Sequence, residues 1–236
     1  MRSLGAATVL FCALLLSPAA PASAQVLIGY LFGEKLSTPT FNLGFEVGAN
    51  FSTLEGFDDA QRVNRPVFGL FADWRFSENF HLGGAFLPIA GRGAEGLAPA
   101  PTGDPAFDSQ TAGHTMERSF DVIELSALIK WSPNQQEGFR VGAGPALAFV
   151  TGARDRYQAV TPGGMGYTLE RDVGHELPAV DFGVSFEAEW RFPLLSIAAR
   201  YTEGLTDMRL DGAPEASHTR VLTGTGRIYL GKKPSP

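Results

Sequence analysis

The groups in this chain that could do chemistry fall into two sets. The first is a scatter of histidines and carboxylates. His114 and His175 lie in polar stretches, and His218 opens the last apolar run. Three histidines near one rim could bind a metal or move protons. No HxxxH or HxxE spacing accompanies them, so they read as loop residues. Asp207, Asp211 and Glu215 could hold calcium, but without DxDxDG spacing they read as a solvated acidic loop. Serine and aspartate are plentiful, yet no motif fixes a nucleophile. No catalytic residue, cofactor site or metal site follows, and the chain reads as a non-enzyme.

The second set is more ordered. Six acids, Glu46, Asp73, Glu124, Asp181, Glu187 and Glu189, occupy every-other positions within apolar runs. So do six bases, Arg75, Lys130, Arg140, Arg191, Arg200 and Arg227. In a narrow closed lumen an unpaired charge would be costly, so acids and bases must match. The expected lumen network is Glu46, Asp73, Arg75, Glu124, Lys130, Arg140, Asp181, Glu187, Glu189, Arg200 and Arg227. Arg191 sits at a strand end, near the interface. His81 belongs to the same face and is expected as a hydrogen-bonded partner there. The chemistry open to such a cluster is either a salt-bridged plug or an ion-selective path. With eight strands the plug is favoured, because side chains fill the lumen.

The elements that would position these charges are strands of period two. Val180–Leu205 carries the clearest pattern. Phe182, Val184, Phe186, Ala188, Trp190 and Phe192 share one face, and Asp181, Gly183, Ser185, Glu187, Glu189 and Arg191 share the other. Pro193 breaks the run. Leu195, Ile197, Ala199 and Tyr201 then alternate with Ser196, Ala198, Arg200 and Thr202. This predicts two strands joined by a tight turn.

Further runs give strands at Phe41–Ser52, Pro66–Phe76, Phe80–Pro88, Glu117–Trp131, Gly138–Val150 and His218–Gly231. In Glu117–Trp131, Phe120 and Val122 start a face that Ile123, Leu125, Ala127, Ile129 and Trp131 continue, which predicts a bulge near Val122. Thr53–Arg65, Ile89–Met116, Thr151–Gly174 and Thr206–Ser217 read as long loops, and Ser77–Asn79 and Ser132–Glu137 as short turns. Long and short connections thus alternate. An even number of strands, short inner turns and long outer loops is the pattern of bacterial outer-membrane barrels. Closure also removes sheet edges. The expected fold is an all-β, eight-stranded, antiparallel, up-and-down transmembrane β-barrel. Its apolar faces would meet lipid and its aromatic strand ends the interfaces.

Residues 1–24 have the shape of a cleavable signal peptide: Arg2, the apolar Leu4–Leu16, then Ala22-Ser23-Ala24. Thirteen apolar residues are too few for a spanning helix, which needs about 20. Cys12, the single cysteine, lies inside this segment, and no small residue precedes it as a lipid anchor would require. Residues 25–40 read as a leader that could add a short strand or plug, 41–231 as the barrel, and 232–236 as a tail. Formal charge is −6, or about −7 without Arg2, which argues against a nucleic-acid partner. Glycine supplies 28 of 236 residues, well above the usual ~7%.

The fourth strand's Val122–Trp131, VIELSALIKW, resembles a strand motif of the PorT-type outer-membrane β-barrel family. Glu124, Lys130 and Trp131 stand at its acid, base and aromatic, and Ser126 replaces its usual proline. Gly142–Pro145, Arg200-Tyr201 with Gly204-Leu205, and Leu31–Lys35 resemble further motifs in order. Tyr229 is followed by seven residues, whereas such barrels usually end on an aromatic. The resemblance implies an eight-stranded barrel in the outer membrane of a Gram-negative bacterium. The expected role is structural or binding, through external loops. The expected partners are outer-membrane lipid and a surface ligand or secretion partner, with the chain a monomer. An outer-membrane hydrolase or transferase, or a narrow pore, is the alternative.

Overall fold

Alternation becomes a closed wall in the computed structural model, which describes residues 38, 40–57, 59–98, 105–111, 115–133, 137–160, 166–208 and 216–230. The signal-peptide segment, Leu31–Lys35, His114, Asp211, Glu215 and the tail lie outside the described residues. The strands are β1 (Phe41–Glu55), β2 (Gln61–Arg75), β3 (Phe80–Ala90), β4 (Arg92–Leu97), β5 (Met116–Trp131), β6 (Gly138–Val160), β7 (Gly166–Asp172), β8 (Val180–Arg191), β9 (Leu195–Gly204) and β10 (His218–Leu230). A short helix, α1 (Pro105–Thr111), lies between β4 and β5.

Every wall contact is antiparallel. β1 pairs with β2, β2 with β3, β3 with β5, β5 with β6, β6 with β8, β8 with β9 and β9 with β10. β10 returns to β1 from Leu43↔Leu230 to Glu55↔His218 and closes the barrel. β4 continues the line of β3 past Gly91 and pairs with both β2 and β5, so β3 and β4 act as one barrel strand. The wall therefore has the eight strands expected. β7 is an addition: it pairs only with the far end of β6, as a hairpin continuing beyond the wall.

Several boundaries move outward. β2 begins at Gln61 rather than Pro66, and β6 runs to Val160 rather than Val150. The long loops at 53–65, 89–116 and 151–174 thus shorten into strand. Pro88 falls where the β2–β3 register shifts between Phe68 and Leu70, a bulge that accommodates a residue without an N–H. Pro145 likewise interrupts the β5–β6 ladder between Ser126↔Ala146 and Ile129↔Ala143.

The irregularity expected near Val122 is present between Asp121 and Val122, but its extra residue, Thr151, belongs to β6. β5 itself alternates unbroken, and Phe120 and Val122 face inward with Glu124. The apparent slip is a change in what the inner face holds, from polar to apolar, and not a change of face.

The two faces have opposite chemistry. Outward-pointing Ile197, Ile228 and Phe186 are 61%, 60% and 55% exposed. Inward-pointing Glu46, Asp73 and Arg140 are 0% exposed. Trp74, Phe76 and Phe80 form an aromatic cluster on the outer surface at the short-turn end, with ring centroids 6.1 and 6.4 Å apart. At the long-loop end the interior turns apolar: Leu54, Val67, Leu97, Met116, Phe120, Tyr157, Val173 and Met208 pack together.

Candidate functional site in the barrel lumen

Inward positions at alternate residues put the charged side chains of all eight wall strands into one column. Among the described residues the buried ionised groups are seven acids, Glu46, Asp73, Glu124, Asp155, Asp181, Glu187 and Glu189, and seven bases, Arg92, Arg118, Lys130, Arg140, Arg191, Arg200 and Arg227. Equal numbers are what a low-dielectric interior demands.

Glu187 is the hub. Arg227 meets it with Nη1 at 2.8 Å from Oε1 and Nη2 at 2.7 Å from Oε2. Arg200, its register partner on β9, donates from Nε at 3.0 Å. Lys130 reaches it at 2.9 Å and also touches Asp73 at 3.0 Å and Glu189 at 3.2 Å. Arg227 bonds Glu46 at 2.7 Å, and Arg200 continues to Glu124 at 3.3 Å. Planar guanidinium forks can serve several carboxylates at fixed angles, which explains why most of the bases are arginine.

Glycine makes room where the column is tightest. A Cβ on Gly83 would stand 2.3 Å from Lys130 Cε and 2.9 Å from its Nζ. Gly44 on β1 leaves space for the Phe71 ring, its neighbour on β2.

The structure brings together ten of the eleven residues expected in the network. Arg75 differs: it is half-buried, opposite His81 at the end of the wall. Arg140 lies on the strand next to that of Glu124 and Lys130 but pairs with neither. Its contact is with Asp73 across the lumen, at 3.5 Å. His81 is buried on the inner face, but neither ring nitrogen has a hydrogen-bond partner, which corrects the expectation of a bonded imidazole. Arg191 points inward, bonding Asn42 at 3.2 Å and lying 4.0 Å over the Tyr229 ring.

Three buried charges escaped the sequence reading. Arg92 donates to Glu124 at 2.6 Å and to Asp181 at 3.0 Å, and Thr219 completes Asp181 at 2.5 Å. Arg118 and Asp155 form a two-bonded pair at 2.7 Å each in the apolar outer half. The signal for Asp155 was available: Ala153, Asp155 and Tyr157 alternate with Arg154, Arg156 and Gln158.

Among the described residues, His175 and His218 do not converge on a shared ligand. His175 is exposed beside Glu176 at 3.5 Å, while His218 Nδ1 lies 3.1 Å from the Thr206 carbonyl. Asp207 caps the Ser217 N–H at 2.9 Å.

No family model matches the chain, and no curated protein matches it. Among solved structures it is similar to the attachment invasion locus protein Ail of Yersinia pestis in complex with the heparin analogue sucrose octasulfate. That match has 12% identity over 81% of this chain and 99% of Ail, with a TM-score of 0.41. Neisserial surface protein A matches at 10% identity, over 80% of this chain and 96% of that one, with a TM-score of 0.37. The outer membrane protein OprG of Pseudomonas aeruginosa matches at 10%, over 80% and 91%, with a TM-score of 0.31.

Proposed function

We propose that this chain is a small integral outer-membrane barrel whose lumen is a structural plug and whose outer end presents a binding surface. The observation that carries the reading is the inversion of the wall. Large apolar side chains point out around the circumference, while seven acids and seven bases point in. A barrel in water would expose the charges and bury the apolar face; a barrel in lipid needs the reverse. Aromatic residues at the short-turn end fit an interface girdle.

The outer end fits contact with water and with a partner. There β6 and β7 rise past the wall with Glu117, Arg156 and Glu170 in one outward cross-strand row. Loops and extensions held by a rigid scaffold are where binding usually resides. The PorT-type motifs at Val122–Trp131 and Gly142–Pro145 support the same reading, and no reaction is assigned to the chain. The test is fractionation of cells expressing the full chain, with gel mobility measured before and after boiling. The protein should sediment with outer membrane and shift on heating. Recovery as a soluble periplasmic species would refute the reading.

A further inference from the structure

We propose that the short-turn mouth of the lumen binds one halide-sized anion between the Arg140 guanidinium and His81. The ground is a concentration of unmet hydrogen-bond donors. Arg140 is fully buried, and only its Nη1 is engaged, at 3.5 Å from Asp73 Oδ2. Its Nε and Nη2, the two nitrogens of one edge of the fork, meet no acceptor. That edge is the one guanidinium groups use to grip an anion with two parallel N–H bonds. His81, 1% exposed, has both ring nitrogens unmatched, and the Ser196 hydroxyl is also unmatched.

These groups lie at the short-turn ends of their strands. His81 and Ser196 are the second residues of β3 and β9, and Arg140 is the third of β6. Arg140, Asp73, Arg191 and Lys130 are the charged groups that act on His81.

Lys130 is spent on Asp73, Glu187 and Glu189, and it shares Asp73 with Arg140, so Arg140 is left with a single 3.5 Å contact to a carboxylate that already holds another cation. Among the described residues the unmatched carboxylate oxygen at the mouth is Asp73 Oδ1, and it already lies 3.0 Å from the Lys130 ammonium. Buried donors without acceptors are rare because each forfeits its hydration. A single anion would serve the Arg140 edge and one imidazole N–H together. All these atoms are sealed from solvent, which favours a monatomic anion over a bulkier oxyanion.

The test uses the whole barrel, purified and folded in detergent, at constant ionic strength. Replacing gluconate by chloride should raise the folded-to-unfolded ratio in proportion to chloride above the dissociation constant, about 100-fold at 100 times that constant. Crystals grown in bromide should show an anomalous peak beside Arg140 and His81. Arg140→Met should remove the halide dependence. Should that variant not fold, His81→Phe, which keeps the ring volume, should weaken it by about tenfold, the loss of one hydrogen bond to a charged group. Stability indifferent to halide, or a mouth occupied by water without anomalous signal, would each overturn the proposal.

Discussion

Arg227 and Glu187 grip each other with two hydrogen bonds, of 2.8 and 2.7 Å, although β9 stands between their strands. The pair therefore spans the lumen rather than following the ladder. Arg227 also holds Glu46 on the neighbouring β1 at 2.7 Å, so one side chain ties three strands together. Replacing it with methionine keeps much of the volume and removes the charge, leaving Glu46 and Glu187 short of a partner. Arg227→Met should destabilise the barrel by about 3–5 kcal/mol in a reversible refolding titration. A loss below about 1 kcal/mol would mean that water has replaced the guanidinium.

Coupling between Arg200 and Glu187 tests whether the charges serve one another. They are register partners 3.0 Å apart, and both are buried. Removing either alone leaves an unbalanced ion, whereas removing both restores equal numbers. A double-mutant cycle with Arg200→Gln and Glu187→Gln should give a coupling energy of about 1–3 kcal/mol. Additive losses would show that each charge is solvated independently.

The assignment of faces has its own test. Phe186 lies midway along β8, points outward and is 55% exposed. With Phe186 near the bilayer midplane, Phe186→Arg should cost roughly 2–4 kcal/mol in lipid refolding. Thr168→Arg, at an exposed site on β7 beyond the wall, should change stability by less than about 0.5 kcal/mol. Equal costs at the two positions would contradict the placement of the lipid-facing band.

How much was legible in the sequence follows from the same two faces. β8 and β9 could be read because large apolar residues alternate with charges along their whole length. β4 could not: Gly91, Gly93 and Gly96 surround Arg92, and the outward Glu95 is polar, so the run lacks contrast. The extensions were lost for a related reason. Near the outer ends of β1, β2 and β5 the inner face carries Leu54, Val63, Val67, Met116 and Phe120. The outer face there carries Arg62, Glu117 and Ser119. The wall has reverted to the arrangement suited to water, so a pattern that inverts within one strand reads as a broken strand. Individual pairs such as Arg140 with Asp73 stayed hidden because they cross the lumen, and alternation gives a face but not a partner.

Space is as testable as charge. Gly83 points at the Lys130 side chain, and an added methyl would stand 2.3 Å from Cε. The far end of lysine can move, so Gly83→Ala should fold, but Nζ would leave its seat among Asp73, Glu187 and Glu189. The expected loss is about 1–3 kcal/mol. Adding Lys130→Met should then cost less than it does in the native background. A full Lys130→Met penalty in both backgrounds would show that lysine had kept its partners.

The packed lumen leads to a last expectation, that the barrel does not conduct. Ions would need a continuous file of water, and two zones oppose it. In the inner half, Lys130, Arg200 and Arg227 each contact three carboxylates, so the wall's charges are spent on one another. In the outer half Leu54, Leu97, Met116, Phe120 and Met208 close the bore with apolar side chains that are each 2% exposed or less. Eight strands enclose a space that side chains alone can fill. Purified protein in planar bilayers should therefore show no unitary steps at 1 M salt. Trimming the outer zone, as in Phe120→Ala with Met208→Ala, should lower stability by several kcal/mol. It should still not produce steps, because the paired charges remain below it. Steady conductance from the native chain, together with near-zero coupling between Arg200 and Glu187, would identify a water-lined path and replace the plug with a pore.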